Sequence, residues 1–146
     1  ARGAGTEIIR SIHLEDVDST DRVVIFGVQH HIYTVLSVIA HPIAVNADND
    51  EVNMYILGYD SVSGTTNRGI YIFRQEFSTS QTYVWNDKFS FNGFEPANFT
   101  GPMDDATKQD AIADQGGSVV QILKIAAEHA SDNFDVTCTY IDQNNA

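Results

Sequence analysis

The sequence predicts a mainly β protein, specifically a jelly-roll-like antiparallel β-sandwich with one short helix. Short runs rich in Val, Ile, Tyr and Phe recur along the chain, and these are residues that strands favour. Turn-forming Gly, Asn, Asp and Ser separate the runs at close spacing, which is typical of all-β sandwiches. The 146 residues suffice for about eight strands in two packed sheets, and a jelly roll manages the edges of those sheets.

The chain is predicted to begin with a flexible arm, residues 1–6, and to continue as a single β-sandwich domain over residues 7–146. The arm is small and Gly-rich, so it has little apolar surface to bury. Runs of strand-forming residues, and the polar stretches between them, define the first half of the domain. In chain order these are a strand over 7–14, an acidic loop over 15–21, strands over 22–28 and 32–45, a polar turn over 46–51, a strand over 52–59, a loop over 60–67 and a strand over 69–77.

Two of these strands carry additional information. Pro42 cannot donate a ladder hydrogen bond, so it indicates an edge position or a bend in its strand. In the strand over 69–77, Ile70 and Ile72 share one face, while Tyr71 and Phe73 share the other. Apolar residues on both faces indicate a strand that is fully covered, or one whose second face forms an interface.

An aromatic hairpin is predicted over residues 82–91. A three-residue turn at 86–88 would pair Trp85 with Phe89 and Tyr83 with Phe91, which places all four rings on one face. Such a face is either part of the sandwich core or a contact surface for a partner protein or a sugar. Together with the arm, the aromatic residues of this region supply the candidate partner-interface residues: Arg2, Thr6, Tyr83, Trp85, Phe89, Phe91 and Phe94.

The C-terminal third is predicted to hold one helix and a closing hairpin. Asp104 can cap a helix over residues 105–115, which Gly116-Gly117 would end. The stretch 118–130 fits both a helical stripe and strand alternation. We favour a strand over 120–130 that pairs with the strongly alternating strand Phe134, Val136, Cys138 and Tyr140 through a turn at 131–133.

The charge of the chain restricts its partners. Eight basic and 20 acidic residues give a formal net charge of −12. Such a surface repels nucleic acid and anionic membranes, so we expect neutral or basic protein partners. The sequence has no apolar stretch long enough for a membrane span. Its one cysteine, Cys138, permits no intrachain disulfide and is predicted to be a small buried hydrophobe.

No motif in the sequence predicts catalysis, a cofactor or a metal. There is neither a Gly-x-Ser-x-Gly turn nor a phosphate-binding glycine loop. His31 and His41 share strand parity, but their spacing matches no zinc pattern. The acidic clusters at 16–21 and 46–51 could offer oxygens to calcium, yet neither is an EF-hand, and we interpret both as solvated turns.

Three stretches resemble virion proteins of aquatic tailed bacteriophages. They are residues 82–96 (TYVWNDKFSFNGFEP), 101–115 (GPMDDATKQDAIADQ) and 132–142 (DNFDVTCTYID), which span roughly the second half of the chain. The resemblance implies a capsid decoration or cement protein without catalytic residues, located on the outer capsid surface. It further implies contacts with the major capsid protein, self-association as a trimer or dimer, and an arm that grips neighbouring subunits.

Two other functional hypotheses remain open from the sequence. The first is a carbohydrate- or receptor-binding β-sandwich module of a phage tail, in which Trp85 and Tyr83 would stack on sugar rings. The second is a metal-dependent enzyme on a cupin-like frame, which would need convergence of His30, His31 and His41 with a carboxylate. The histidine spacing does not support the second hypothesis.

Overall fold

The computed structural model describes residues 5–47, 49–60, 65–78, 80–95, 106–113 and 119–145, and strands dominate it. Its elements are β1 (Glu7–Val17), β2 (Arg22–Phe26), β3 (His31–Ala44), β4 (Asp50–Asp60), β5 (Thr65–Phe77), β6 (Tyr83–Trp85), β7 (Phe89–Asn92), β8 (Phe94–Glu95), α1 (Ala106–Ala113), β9 (Val119–Val120), β10 (Ile122–Ala127) and β11 (Asn133–Asn144). No helix within the described residues is long and apolar enough to cross a membrane.

The strands form two antiparallel sheets with the order of a jelly roll. Sheet A has the order β1-β11-β3, and both β6 and β7 pair with the remaining edge of β3. Sheet B has the order β2-β10-β4-β5, and β8 and β9 form a separate two-stranded ribbon. The first strand, β1, therefore pairs with the last strand, β11. In the same way β2 pairs with β10, and β4 pairs with β5. This wrapped pairing confirms the predicted jelly-roll-like sandwich.

The core lies between the two sheets and follows from period-two alternation. Every second residue of β11 from Phe134 to Cys138 is buried, while the residues between them are only partly covered. Leu123 and Ile125 of β10 face them from sheet B and are completely buried. Burial of each such large side chain contributes roughly 1.5–3 kcal/mol, so these alternating positions dominate the stability of the sandwich. Cys138 is buried as predicted, and burial raises the pKa of its thiol to about 12.

The predicted aromatic hairpin is wrong in its pairing. Trp85 pairs with Val38, and Phe89 pairs with Val35, so β6 and β7 follow one another along the same edge of β3. The fourteen-residue β3 is long enough to accept both segments, and residues 86–88 form an interruption between them. A continuous strand keeps odd-numbered residues on one face just as the hairpin would. For this reason the shared face of the four aromatic residues is found even though the turn is not.

The predicted closing hairpin is also wrong, although the strand assignment within 120–130 is confirmed. β10 lies between β2 and β4 in sheet B, whereas β11 lies between β1 and β3 in sheet A. The turn before β11 therefore carries the chain from one sheet to the other. This connection lets the apolar faces of β10 and β11 oppose each other across the core, which a flat hairpin within one sheet would not do.

Strand β5 is longer than predicted, and its register changes at Ile72. Phe73 pairs with Met54, but Tyr71 pairs with Tyr55, so Ile72 is the extra residue of a β-bulge. Ile70 and Tyr71 are 58% and 55% exposed, because β5 is an edge strand of sheet B. The prediction that both faces of this strand are covered within the chain is therefore wrong, while an interface on its second face stays a prediction.

Other boundaries also differ from those predicted. The acidic loop begins later, because β1 continues to Val17 through a bulge at which Asp16 has a φ of 57°. Pro42 lies at a register shift in β3 opposite Phe134, which matches the predicted bend. Helix α1 lies within the predicted range of 105–115. Asp104, Gly116, Gly117 and residues 1–4 of the arm lie outside the described residues.

Candidate binding surfaces

The outward face of sheet A carries no Asp, Glu, Lys or Arg in its three central rows. The strand pairings extend these rows from β1 through β11 and β3 to the edge of the sheet, which β6 and β7 share, so the rows cross four strand positions. We call the set the sheet A face; it consists of Ile9, Ser11, His13, Thr34, Ser37, Ile39, Val84, Ser90, Thr137, Thr139 and Ile141. The carboxylates of this outward side, on Glu7, Glu15 and Asp135, lie beyond the central rows. The result is an area without Asp, Glu, Lys or Arg on a strongly acidic protein, bordered by Glu15, whose Oε1 lies 3.7 Å from Nε2 of His13.

Hydroxyl groups of the sheet A face are bonded to one another across the strands. The Ser11 and Thr139 hydroxyls are 3.1 Å apart, and those of Thr34 and Ser90 are 2.9 Å apart. Nδ1 of His13 lies 2.8 Å from the Thr137 hydroxyl. These hydrogen bonds use part of the bonding capacity of the polar side chains within the sheet, and they fix the rotamers of those side chains. The face is therefore ordered before any partner arrives, which lowers the entropy cost of docking.

A groove lies on the outward face of sheet B, near the loop between β1 and β2. Its volume is about 620 Å³. We call it the sheet B groove; its lining residues are Ser19, Asp21, Asn53, Tyr55, Gly69, Tyr71, Ala126, Ala127 and Glu128. Gly69 and Ala126 have little or no side chain, which leaves the space above the sheet open between the larger neighbours.

Two tyrosine rings form the aromatic wall of the sheet B groove. The Tyr55 and Tyr71 ring centroids are 5.8 Å apart. The β5 bulge creates this pair, because without the extra residue Tyr55 would face Ile72. The Arg74 guanidinium carbon lies 4.9 Å from the Tyr71 ring centroid, and its nitrogens bond the Glu51 carboxylate at 3.1 and 3.2 Å. Arg74 thus supports the exposed Tyr71 ring from one side.

The polar atoms of the sheet B groove are mainly acceptors. The Tyr55 hydroxyl donates to Asp21, and burial followed by this hydrogen bond raises the pKa of Tyr55 well above its usual value. Oε2 of Glu128 accepts a 3.0 Å bond from the backbone N–H of Glu51. Oδ1 of Asn53 is buried and has no hydrogen-bond partner. Leaving such an acceptor unbonded costs roughly 1–3 kcal/mol.

A second group of polar residues closes the end of the sandwich beside the groove. Asp132 accepts backbone bonds from Asn46 at 2.6 Å and from His129 at 3.0 Å, which ties the two neighbouring loops together. Asp50 is buried against Asp132, and Nε2 of His129 lies 3.5 Å from its Oδ1. Burial, and then the hydrogen bond that protonated Asp50 donates to Asp132, raise the pKa of the Asp50 carboxyl.

Asp50, Glu128 and His129 each offer one ligand atom to a common point, with these atoms within 4.8 Å of one another. Two of the three already serve the fold, because Oδ2 of Asp50 accepts from the Ala47 N–H and Oε2 of Glu128 accepts from the Glu51 N–H. Calcium takes six to eight oxygens, which three atoms do not approach. The absence of a metal site stays a prediction.

The predicted interface residues fall into different environments. Tyr83, Trp85, Phe89 and Phe91 pack against the core, and Phe73 contacts both Tyr83 and Trp85 at centroid distances of 5.3 and 5.6 Å. This geometry favours the core interpretation of the aromatic face. The remaining three predicted residues are placed as follows: Phe94 is half-buried and pairs with Val120, the Thr6 carbonyl accepts a 2.9 Å bond from the Asn144 N–H, and Arg2 lies outside the described residues.

The histidines considered for zinc do not converge. Nδ1 of His31 lies 2.6 Å from the Asp142 carboxylate, while Nδ1 of His41 lies 2.9 Å from the Thr82 hydroxyl. Sequence reasoning missed the sheet B groove, because its residues come from four separate segments and share no motif. The nearest signal was the apolar run around Tyr71, which indicated a second face with a possible interface.

Comparisons with known proteins describe only distant likenesses. No protein-family model and no curated protein matches the chain. A solved structure of Bacillus endospore appendages, described as a novel family of disulfide-linked pili, is 13% identical and has a TM-score of 0.44; the alignment covers 100% of this chain and 95% of that chain.

Two further solved structures are similar at comparable levels. A chain of the T13 IBDV viral particle is 6% identical with a TM-score of 0.42, over 100% of this chain and 37% of that chain. The Yersinia pseudotuberculosis-derived mitogen is 10% identical with a TM-score of 0.31, over 92% of this chain and 86% of that chain. None of these likenesses carries functional information, so the surfaces of the β-sandwich itself are the basis for its function.

Proposed function

We propose that this protein is a non-enzymatic structural component of a virus particle that decorates the capsid and stabilises it by clamping neighbouring shell subunits. The observation that carries the proposal is the sheet A face, an area without Asp, Glu, Lys or Arg on a chain of net charge −12. The centre of a protein–protein interface is depleted of charged residues, because burying an unpaired charge is costly. The resemblance of residues 82–96, 101–115 and 132–142 to phage virion proteins supports the virion as the setting.

The size of the sheet A face supports many weak contacts in place of one strong contact. Four strand positions and three rows span about 20 Å by 20 Å, on the order of 400 Å². A standard interface buries about 800 Å² on each partner, so this face alone makes a weak contact. Many copies on one shell, or a dimer or trimer that holds several subunits at once, would multiply that contact.

The bonding and burial of the side chains best suited to acid–base or nucleophilic chemistry support a role without catalysis. His13, His31 and His41 each bond a different side chain on sheet A, namely Thr137, Asp142 and Thr82. Cys138 is buried with a raised pKa, so its thiol stays protonated and unreactive at neutral pH. Acidic partners and nucleic acid are disfavoured by the net charge, and neutral or basic surfaces of the major capsid protein are favoured.

The test measures docking of the chain to particles stripped of it, together with its solution mass. We expect saturable re-binding and a dimer or trimer by light scattering. Ile39→Lys places a charge at the centre of the sheet A face, where Ile39 is 40% exposed, and should weaken docking about tenfold or more. Ile70→Lys is the matched control on sheet B and should leave docking unchanged. Equal effects of the two variants, or no binding by the wild-type chain, would overturn the proposal.

A further inference from the structure

We propose that the sheet B groove is a binding site for a neutral saccharide. The sheet A face and the sheet B groove lie on opposite sides of the sandwich, so a chain docked through sheet A leaves the groove open to solvent. The groove volume of about 620 Å³ lies within the range of roughly 300–1,000 Å³ that small-ligand sites occupy. The inference rests on the groove alone and stands or falls separately from docking.

The hydrogen-bonding groups of the groove fit a ligand that is rich in donors. The Asp21 and Glu128 carboxylates each have one partner, the Tyr55 hydroxyl and the Glu51 N–H, and retain lone pairs for further bonds. The Asn53 Oδ1 lacks a partner but is buried, so the two carboxylates are the acceptors that a ligand can reach. Sugar hydroxyls donate hydrogen bonds and can occupy such acceptors. The two carboxylates disfavour uronic acids, sialic acids and sulfated sugars through like-charge repulsion.

The aromatic wall supplies the apolar part of the contact. The C–H-bearing face of a pyranose ring is apolar and weakly electropositive, so it packs on the electron-rich face of an aromatic ring. Tyr71 remains exposed even though Arg74 lies over its ring. The same guanidinium argues against a quaternary ammonium or another organic cation as the occupant, because it would repel a second positive charge beside Tyr71. A neutral sugar satisfies both the acceptors and the aromatic wall without that conflict.

The test begins with an array of neutral oligosaccharides, including maltohexaose, cellohexaose, mannohexaose and chitohexaose, beside sialylated and sulfated glycans. The strongest neutral glycan is then titrated calorimetrically into the wild type and three variants. Tyr71→Ala removes the exposed ring. Gly69→Leu fills the groove from its floor, and a Cβ there meets only Cδ2 of Tyr55 at 3.9 Å, so the fold accommodates the change. Ile70→Ala is the control, since Ile70 is the adjacent residue and is similarly exposed.

We expect at least one neutral glycan to bind, with Tyr71→Ala and Gly69→Leu each weakening it about tenfold or more and Ile70→Ala leaving it unchanged. Thermal melting of Gly69→Leu at the wild-type temperature would show that its effect is local. A blank array, binding restricted to anionic glycans, or equal affinity of the wild type and both groove variants would overturn the inference. Docking to particles is measured separately, so either proposal can fail while the other holds.

Discussion

The two outward faces of this sandwich obey the same strand alternation but present opposite surfaces. The sheet A face is neutral, and its hydroxyls bond to one another across the strands. Sheet B presents a groove with two tyrosines, two carboxylates and an unbonded amide oxygen. The inward residues of both sheets are constrained by the common core, whereas the outward residues are not. Differences between the outward faces therefore carry information about binding that the fold itself does not contain.

The local geometry of each sheet produces its own surface. On sheet A, β3 has an extra residue at Leu36, between two of the central rows, and β-branched and hydroxyl side chains stand side by side on the outward face. On sheet B, the bulge at Ile72 places Tyr71 beside Tyr55, and Gly69 leaves room next to them. The extra residue in the edge strand β5 thus contributes to the groove of sheet B, because it decides which side chains stand next to each other.

The prediction with the largest expected effect concerns β6. It tests whether the inward-facing and outward-facing residues of this strand have separate roles. Trp85 packs on Phe73 in the core, while its neighbour Val84 lies on the sheet A face and is 53% exposed. Trp85→Ala should lower the free energy of unfolding by about 3 kcal/mol, because it leaves a cavity beneath sheet A. Val84→Ser should change it by less than about 0.5 kcal/mol and weaken docking instead. Urea denaturation of both variants measures the two changes in the free energy of unfolding. Equal losses would mean that the inward and outward residues of β6 do not have separate roles in the core and in the contact surface.

Much of the sandwich could be predicted because strand periodicity depends on the sequence alone. The alternation of Phe134, Val136 and Cys138 predicted the buried face of β11, and the recurrent strand signals predicted a jelly roll. Strand partners were harder, because turn residues report only local reversals. Residues 86–88 and 131–133 are both turn-like. The first interrupts a strand along β3, and the second crosses between sheets.

The sheet B groove could not be predicted for a related reason. It depends on a register shift between Met54 and Tyr55, which brings Tyr71 opposite Tyr55. A bulge of this kind is a property of two paired strands and has no signature in either one alone. The sheet A face likewise becomes visible only when the register aligns hydroxyls from β1, β11 and β3, although each residue is unremarkable within its own strand.

A moderate effect is expected where sheet A buries a carboxylate beside an arginine and a histidine. Asp142 is 6% exposed, with Nδ1 of His31 at 2.6 Å and Nε of Arg10 at 3.3 Å. Asp142→Asn removes the charge but keeps the shape, which leaves Arg10 and His31 without a carboxylate. The free energy of unfolding at neutral pH should fall by about 2 kcal/mol, as measured by urea denaturation. A variant as stable as the wild type would show that these pairs only offset the cost of burying the carboxylate.

A pH-dependent effect is expected where sheet B buries a carboxyl group beside another carboxyl group. Asp50 is 4% exposed, and burial together with Asp132 raises its pKa above the ordinary value of 3.8. The unfolded chain loses this proton more readily, so the wild type loses stability as the pH rises from 3.8 through the higher pKa of the folded state. Asp50→Asn has no such proton. Its stability relative to the wild type should therefore rise from acidic to neutral pH in urea denaturation, and a flat difference would contradict the raised pKa.

The smallest expected effect is that of calcium, which should change neither face. A metal ion can hold the hydroxyl groups of a sugar, but here the carboxylates of Asp21 and Glu128 supply acceptors in the sheet B groove. The Glu128 carboxylate also holds the Glu51 N–H, and Asp50 holds the Ala47 N–H, so a calcium ion would have to displace bonds that support the fold. Titration with calcium should give no saturable heat, and glycan binding should persist in chelator. Saturable calcium binding that is lost in Asp50→Asn would instead show that the end of the sandwich is a metal site. The contrast between the two faces would then depend on a calcium ion as well as on the bulge in β5.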